Sequence, residues 1–451
     1  MNTSPKFLII PFFIFFSIVS CSENPEKNKV PPLPKSTNPA DGAQEVAVST
    51  EVSVMFDEVV ELTENHNITV NGEKVEASAP PQERKVVIDI KLEKDTHYEV
   101  HIPAGAVINT RGVPSGEEVT FTFSTEVPVE LKSSLVVENP SPEAVNVFRF
   151  LRENFGSQMI SGTVANVSWN LNEAKWVHQH TGKFPALNGF DLIHLYASPA
   201  NWIDYTNTSV VEEWWNNNGL VTLMWHWNVP IEKGSDEYAF YTDETNFDIS
   251  RAVQEGTWEN EVIMADIEKA AEVLKKLRDK NIPVIWRPLH EAAGGWFWWG
   301  DGSAQDCIDL WRLMFDYFTS QNLNNLIWVW TVEPGHDEWY PGNEYVDIVA
   351  RDIYNQPESS AMVNEFQNLR ERFPQKLVTM GECGSIAPIS QQWNEGAKWS
   401  WFMTWYDYER TNDPEAADYN ETSHGHADAS WWEGALSHDD VITRDEMPDL
   451  K

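Results

Sequence analysis

The stretch "VIWRPLHEAAGGWFWWG" (residues 284–300) runs from an apolar segment into an arginine, a histidine and a glutamate, then two glycines and four aromatic residues. A segment that served only a core would not end in Arg287, His290 and Glu291 side by side. It reads as a buried strand whose end delivers polar side chains to a cleft. The rest of the chain has to supply the other walls.

From residue 137 to 440 eight short apolar runs recur: "QMISGT", "FPALNGFDL", "GLVTLMWHWN", "IPVIWRPLHE", "NLIWVW", "VDIVARDIY", "KLVTMGECG" and "WSWFMTWYD". Several are separated by segments with apolar residues at helical spacing, such as "NEVIMADIEKAAEVLKKLRDKN" before the fourth run and "SAQDCIDLWRLMFDYFTSQN" before the fifth. Near-continuously apolar strands alternating with helices predict a parallel sheet covered on both faces. Eight such units predict a (β/α)8 TIM barrel. The alternative, a doubly wound open sheet, gives no reason for polar residues at so many strand ends.

In a barrel the C-terminal strand ends face the active site. The third run delivers His226 between Trp225 and Trp227. The fourth delivers Arg287, His290 and Glu291; the sixth Asp352 and Tyr354; the seventh Glu382; the eighth Trp405. Glu291 and Glu382 therefore stand across the barrel mouth from each other. Two carboxyls flanking a cleft suit glycosidic hydrolysis, which needs one group protonated to expel the leaving oxygen and another ionised to attack or to activate water.

Arg287, placed by the pleat on the same inward face as Glu291, is the candidate for holding Glu382 ionised. His290 and Tyr354 are candidates to hydrogen-bond the nucleophile or a sugar hydroxyl. Trp296 and Trp299 are expected to stack on sugar rings, with Gly294 and Gly295 letting the loop turn sharply, and Trp405 to lie under the ring being cut. A lone glutamate at a strand end is more often a cap or a surface group. The pair in register carries the reading. No metal or cofactor is expected, and Cys307 and Cys383 read as buried small hydrophobes.

The segment "WRPLHEAAGGWFWWG" closely resembles the acid/base motif of glycoside hydrolase family 26, whose best-known members are endo-β-1,4-mannanases. "VTLMWHWNVP", "NLIWVW", "EWYPGNEYVDIVARDIY" and "WSWFMTWYD" agree in order, so the resemblance covers residues 140 to 440. It implies a retaining mechanism with Glu291 as acid/base and Glu382 as nucleophile. It also implies that His290 and Tyr354 assist the nucleophile, and that Trp296 and Trp405 line the subsites around the scissile bond. The implied substrate is a β-mannan-type polysaccharide. A β-glucanase, a β-1,3-xylanase or a surface protein that binds glycans without cutting them are the alternatives. The chain departs from the common pattern at Ala292-Ala293 and at "GECG", beside the cleft.

Residues 37–126 differ in rhythm. "EVSVMFD", "VVIDIKL", "HYEVHIP" and "VTFTFST" alternate with period two between Asn, Gly and Pro turns, which predicts an all-β sandwich. The wording from "NPADGAQEVAV" to "EEVTFTFST" resembles a bacterial immunoglobulin-like domain, a spacer or a carbohydrate binder. No aromatic row stands out, which favours the spacer.

Before it, residues 21–36 read as a polar, Pro-rich tether, and residues 1–20 as a secretory leader with an apolar "FLIIPFFIFFSIV" core. "IVSC" resembles a lipoprotein cleavage site, so Cys21 is the expected lipid anchor, at the outer membrane or surface of a Gram-negative cell. An ordinary leader with an incidental cysteine is the alternative. The formal charge of −38, from 70 acidic and 32 basic residues, argues against nucleic acid. A monomer is expected.

Overall fold

Alternation builds the N-terminal unit. The computed structural model describes residues 30–126, 130–166, 168–195, 203–410 and 413–451; the leader and Cys21 lie outside them. In His97–Ile102 the residues Tyr98, Val100 and Ile102 are buried, and in Val119–Thr125 so are Phe121 and Phe123. Every second side chain therefore joins one core. One sheet runs in the order Pro34–Asn38, Val52–Phe56, Lys85–Asp89 and Glu76–Ser78. A second runs Ala43–Val46, Val119–Thr125, His97–Ile102, Thr69–Val70 and Glu73–Lys74. Pairing is antiparallel except between Ala43–Val46 and Val119–Thr125. The first strand starts at Pro34, so the sheet takes in the end of the Pro-rich stretch.

The second compact unit starts at Glu130. Among its described residues eight parallel strands close on themselves: β1 (Met159–Val164), β2 (Leu187–Asp191), β3 (Leu220–Met224), β4 (Val284–Arg287), β5 (Leu326–Thr331), β6 (Ile348–Tyr354), β7 (Leu377–Gly384) and β8 (Trp401–Thr404). β1 pairs with both β2 and β8, which removes the sheet's open edges. Val441–Ile442 adds a short parallel strand against β1, so the unit continues past residue 440. All residues of β2, β3, β4, β5 and β7 are buried, as strands enclosed on both faces must be.

Helices cover the outside. Trp258–Arg278 begins on Thr257, whose hydroxyl accepts from Asn260 N, with Glu259 and Glu261 in the first turn and Lys275, Lys276 and Arg278 in the last. That charge order suits the helix dipole at both ends. Ala304–Ser320 begins with a reciprocal capping box between Ser303 and Asp306. Cys307 and Cys383 are free thiols with no exposed surface.

Candidate active site

The site is assembled by one bulge and one turn. Along β6 and β7 the register runs Arg351 to Met380 and then Asp352 to Glu382, so Gly381 is an extra residue on β7. The bulge sets Glu382 beside Asp352, aimed into the mouth. A Cβ at position 381 would lie 2.6 Å from Asp352 Oδ1, so the bulge needs glycine. The Arg287 guanidinium, 1% exposed, fills the space between the two carboxylates. Its Nη1 donates to Asp352 Oδ2 at 2.9 Å and to Thr331 Oγ1 at 3.1 Å, and its Nη2 donates to Glu382 Oε1. Tyr354 OH donates to the other Glu382 oxygen at 2.9 Å.

Glu291 arrives differently. β4 ends at Arg287, and the chain then turns through Leu289 (φ 47°) and Glu291 (φ 54°), both in the left-handed region that non-glycine residues rarely occupy. The pleat therefore does not carry Glu291 to the inward face; a strained turn does, as is common at functional sites. Trp296 Nε1 donates to Glu291 Oε2 at 2.9 Å. Gly294 makes room for this: a Cβ there would meet the Trp296 ring at 2.2 Å.

One oxygen each of Glu291, Asp352 and Glu382 lie within 4.8 Å of one another. Three carboxyls at that spacing could share a cation, and Arg287 is the cation that two of them hold. Burial, followed by the charges of Asp352 and Glu382, pushes the Glu291 carboxyl up to about 9. Burial also raises Asp352, to about 7, with Arg287 opposing and Glu382 adding to the shift. The Tyr354 hydroxyl is driven well up by burial and then by Glu382, so it stays a donor.

His290 and His226 meet each other. Their Nε2 atoms are 3.2 Å apart, and His226 Nδ1 lies 2.5 Å from Asp191 Oδ2. The hydrogen bonds of His290 thus lead to His226 instead of to the nucleophile. Trp405 packs edge-on to His226 with ring centroids 5.7 Å apart, and both line a cleft of about 330 Å³ with Asp191, Tyr241, Tyr406 and Tyr408.

The aromatic run divides. Trp296 is 42% exposed, whereas Trp299 and Trp298 are wholly buried and Phe297 nearly so. Trp299 Nε1 donates to His290 O at 2.9 Å, and Trp298 Nε1 donates to Trp227 O at 2.7 Å. The expectation that Trp299 stacks on sugar is corrected: it is a core pin under the turn. Trp225 and Trp227 stack at 4.0 Å in the same core.

The long connection after β3 forms a hairpin, Val229–Pro230 with Tyr238–Ala239, and then docks on the Trp296 loop. Thr242 N donates to Trp296 O at 2.9 Å and Thr242 Oγ1 to Gly295 O at 3.0 Å. Tyr241 and Tyr408, both exposed, stand on the cleft rim. Neither these nor Asp191 was singled out from the sequence. Asp191 ends the second apolar run, so reading that run to its last polar residue would have found it.

A barrel mouth with two glutamates in contrasting surroundings, one clasped by donors and one buried beside negative charge, is the arrangement of glycoside-cleaving enzymes. The family model "Glycosyl hydrolase family 26" matches residues 136–431, more than half of the chain, and the model "Bacterial Ig-like domain" matches residues 28–125. The chain belongs to glycosyl hydrolase family 26.

It is 32% identical over 335 residues to mannan endo-1,4-beta-mannosidase B of Piromyces sp., covering 72% of this chain and 55% of that one. The chain thus spans little more than half the length of that relative. The GH26 domain of an endo-beta-mannanase/endo-beta-glucanase from Prevotella bryantii superposes with a TM-score of 0.64 at 34% identity, covering 70% of this chain and 99% of that one. A beta-mannanase from a symbiotic protist of the termite Reticulitermes speratus, complexed with gluco-manno-oligosaccharide, superposes with a TM-score of 0.62 at 35% identity, covering 71% and 99%.

Proposed function

We propose that this chain is a retaining endo-β-1,4-mannanase acting on mannan, glucomannan or galactomannan, with Glu291 as acid/base and Glu382 as nucleophile. The observation that carries the assignment is the contrast between the two carboxyls. Glu291 sits where burial and neighbouring negative charge favour the protonated form. Glu382 has its oxygens bonded by Arg287 and Tyr354.

In the first step Glu382 attacks the anomeric carbon while Glu291 gives its proton to the departing glycosidic oxygen, leaving a glycosyl ester on Glu382. In the second, water attacks that carbon, Glu291 takes its proton, and the ester bond breaks. Carboxyls about 5–5.5 Å apart suit this double displacement, whereas direct attack by water needs about 6.5–9.5 Å. An oxygen of Glu291 lies within 4.8 Å of an oxygen of Glu382, which favours the former.

Mannan-type substrate is supported by the activity of the relatives and by the exposed ring of Trp296 beside Glu291. The test is a product profile on linear mannan, glucomannan, mixed-linkage glucan and β-1,3-xylan. A spread of manno-oligosaccharides is expected; cleavage of only the glucan or the xylan would move the substrate assignment.

The chain is further proposed to act as a monomer anchored through Cys21 at the outer membrane or cell surface, with the immunoglobulin-like domain as spacer. Cys21→Ala is expected to release activity from the membrane fraction; unchanged partitioning would remove the anchor.

A further inference from the structure

Along the cleft wall runs a buried line of polar groups that the reaction above does not use. Asp191 is 5% exposed, and its Oδ1 accepts two backbone N–H groups, from His226 and Ile193, each at 3.0 Å. Its Oδ2 is 2.5 Å from His226 Nδ1. A carboxylate so placed only accepts, so His226 Nδ1 carries a proton. At the other end of the ring, His226 Nε2 faces His290 Nε2 at 3.2 Å, and one of these two nitrogens has to accept. His290 is 1% exposed, and its Nδ1 has no hydrogen-bond partner among the described residues.

We infer that Asp191 is a positioning residue of this active site: it fixes a proton on His226 Nδ1 and, through His226, keeps His290 a neutral imidazole in one orientation beside Glu291. The electrostatics agree. Burial works against charge on His226, but the Asp191 carboxylate outweighs it and raises the imidazole. Burial, then Arg287 and His226, drive His290 well down. The titratable and charged groups around His226 are Asp191 and His194 at the end of β2, and Tyr241 beyond β3. Arg287 ends β4 and His290 lies in the turn after it, Glu382 comes from β7, and Tyr406 and Tyr408 from beyond β8. Asp191 and His290 are the two that hydrogen-bond it.

The substitution Asp191→Asn is nearly isosteric and reverses this arrangement. The amide oxygen has to remain on the two backbone donors, so the NH2 group falls opposite His226 Nδ1. That nitrogen then has to accept, and the proton moves to Nε2. Such an exchange preserves geometry while imposing the wrong tautomer.

The experiment is 15N–1H spectroscopy of histidine-labelled, substrate-free enzyme at neutral pH, with His226→Gln used to assign the resonances, alongside kinetics on a manno-oligosaccharide. The wild type is expected to show His226 protonated at Nδ1 and His290 neutral; Asp191→Asn should transfer the His226 proton to Nε2. The same variant should lower kcat about 10- to 100-fold with little change in KM.

A wild-type His226 protonated at Nε2 alone would overturn the inference, and that spectrum decides even if the variant does not fold. A tautomer switch with unchanged kcat would overturn the positioning role. The kinetic arm rests on the mannanase reading, the spectra do not. Failure of the wild type to cleave mannans would therefore count against that reading and leave the proton assignment separately tested.

Discussion

The turn after β4 and the end of β7 present the same side chain to the same cleft and treat it in opposite ways. Glu382 sits on a bulged strand, 4% exposed, with Arg287 and Tyr354 donating to its two oxygens. Glu291 sits on a left-handed turn with one donor among the described residues, Trp296, and with Asp352 and Glu382 as negative neighbours whose effect outweighs that of Arg287. The difference teaches that division of labour between identical residues is set by which backbone geometry delivers them. On the proposed reading, a bulge into a guanidinium suits a nucleophile, and a turn into a buried, negatively charged corner suits an acid.

The contrast is broken most completely by removing the clasped partner. Glu382→Ala is expected to lower kcat by about 10⁴-fold or more, measured on a soluble manno-oligosaccharide, because no glycosyl ester can form. Glu291→Ala should cost about 10²- to 10⁴-fold on the same substrate. It should cost far less for the first step on an aryl mannoside, whose leaving group needs no proton. Equal losses on both substrates would contradict the acid role.

Removing one clasp is expected to cost less. Tyr354→Phe deletes a single donor to Glu382, and a loss of about 10²-fold in kcat is expected, in line with the deletion of one preorganised donor.

The pH profile sharpens the comparison from the other side. Glu291 has to be protonated to act, so kcat/KM is expected to fall as pH rises through about 9, where burial places this carboxyl. The Trp296 hydrogen bond favours the ionised form and pulls against that shift. Trp296→Phe should therefore move the alkaline limb upward, and a downward shift would contradict the assigned contact. Trp299→Ala acts through the fold: it empties the pocket under the turn, at about 3–5 kcal/mol of stability, visible as a lower Tm.

Most of this architecture was legible because it rests on short, repeated signals. Each barrel strand falls on one of the eight apolar runs, with β1 and β5 each extending one residue past theirs, and both glutamates follow from reading runs four and seven to their ends. The link from Arg287 to Glu382 was legible as well, although the pleat argument behind it was incomplete. The bulge at Gly381 and the left-handed φ of Leu289 and Glu291 do the aiming, and neither has a composition signature, since leucine and glutamate rarely adopt that conformation. Trp299 was misread because four adjacent aromatics look equivalent in sequence, while a tight turn can expose only one of them. His290 was linked to the nucleophile or a sugar hydroxyl by its place at a strand end, and to the nucleophile by the family resemblance, whereas the packing of two buried imidazoles turns it toward His226.

Which glutamate attacks carbon decides the two roles. Azide rescue of the two alanine variants, with the anomer of the glycosyl azide read by proton NMR, tests it most directly. Glu291→Ala should yield the β-azide, because azide displaces the Glu382 ester from the opposite face, in the space left by the Glu291 side chain, and Glu382→Ala should yield the α-azide by direct attack from the side that Glu382 occupied. The opposite pairing of variant and anomer would exchange the two roles and contradict the account.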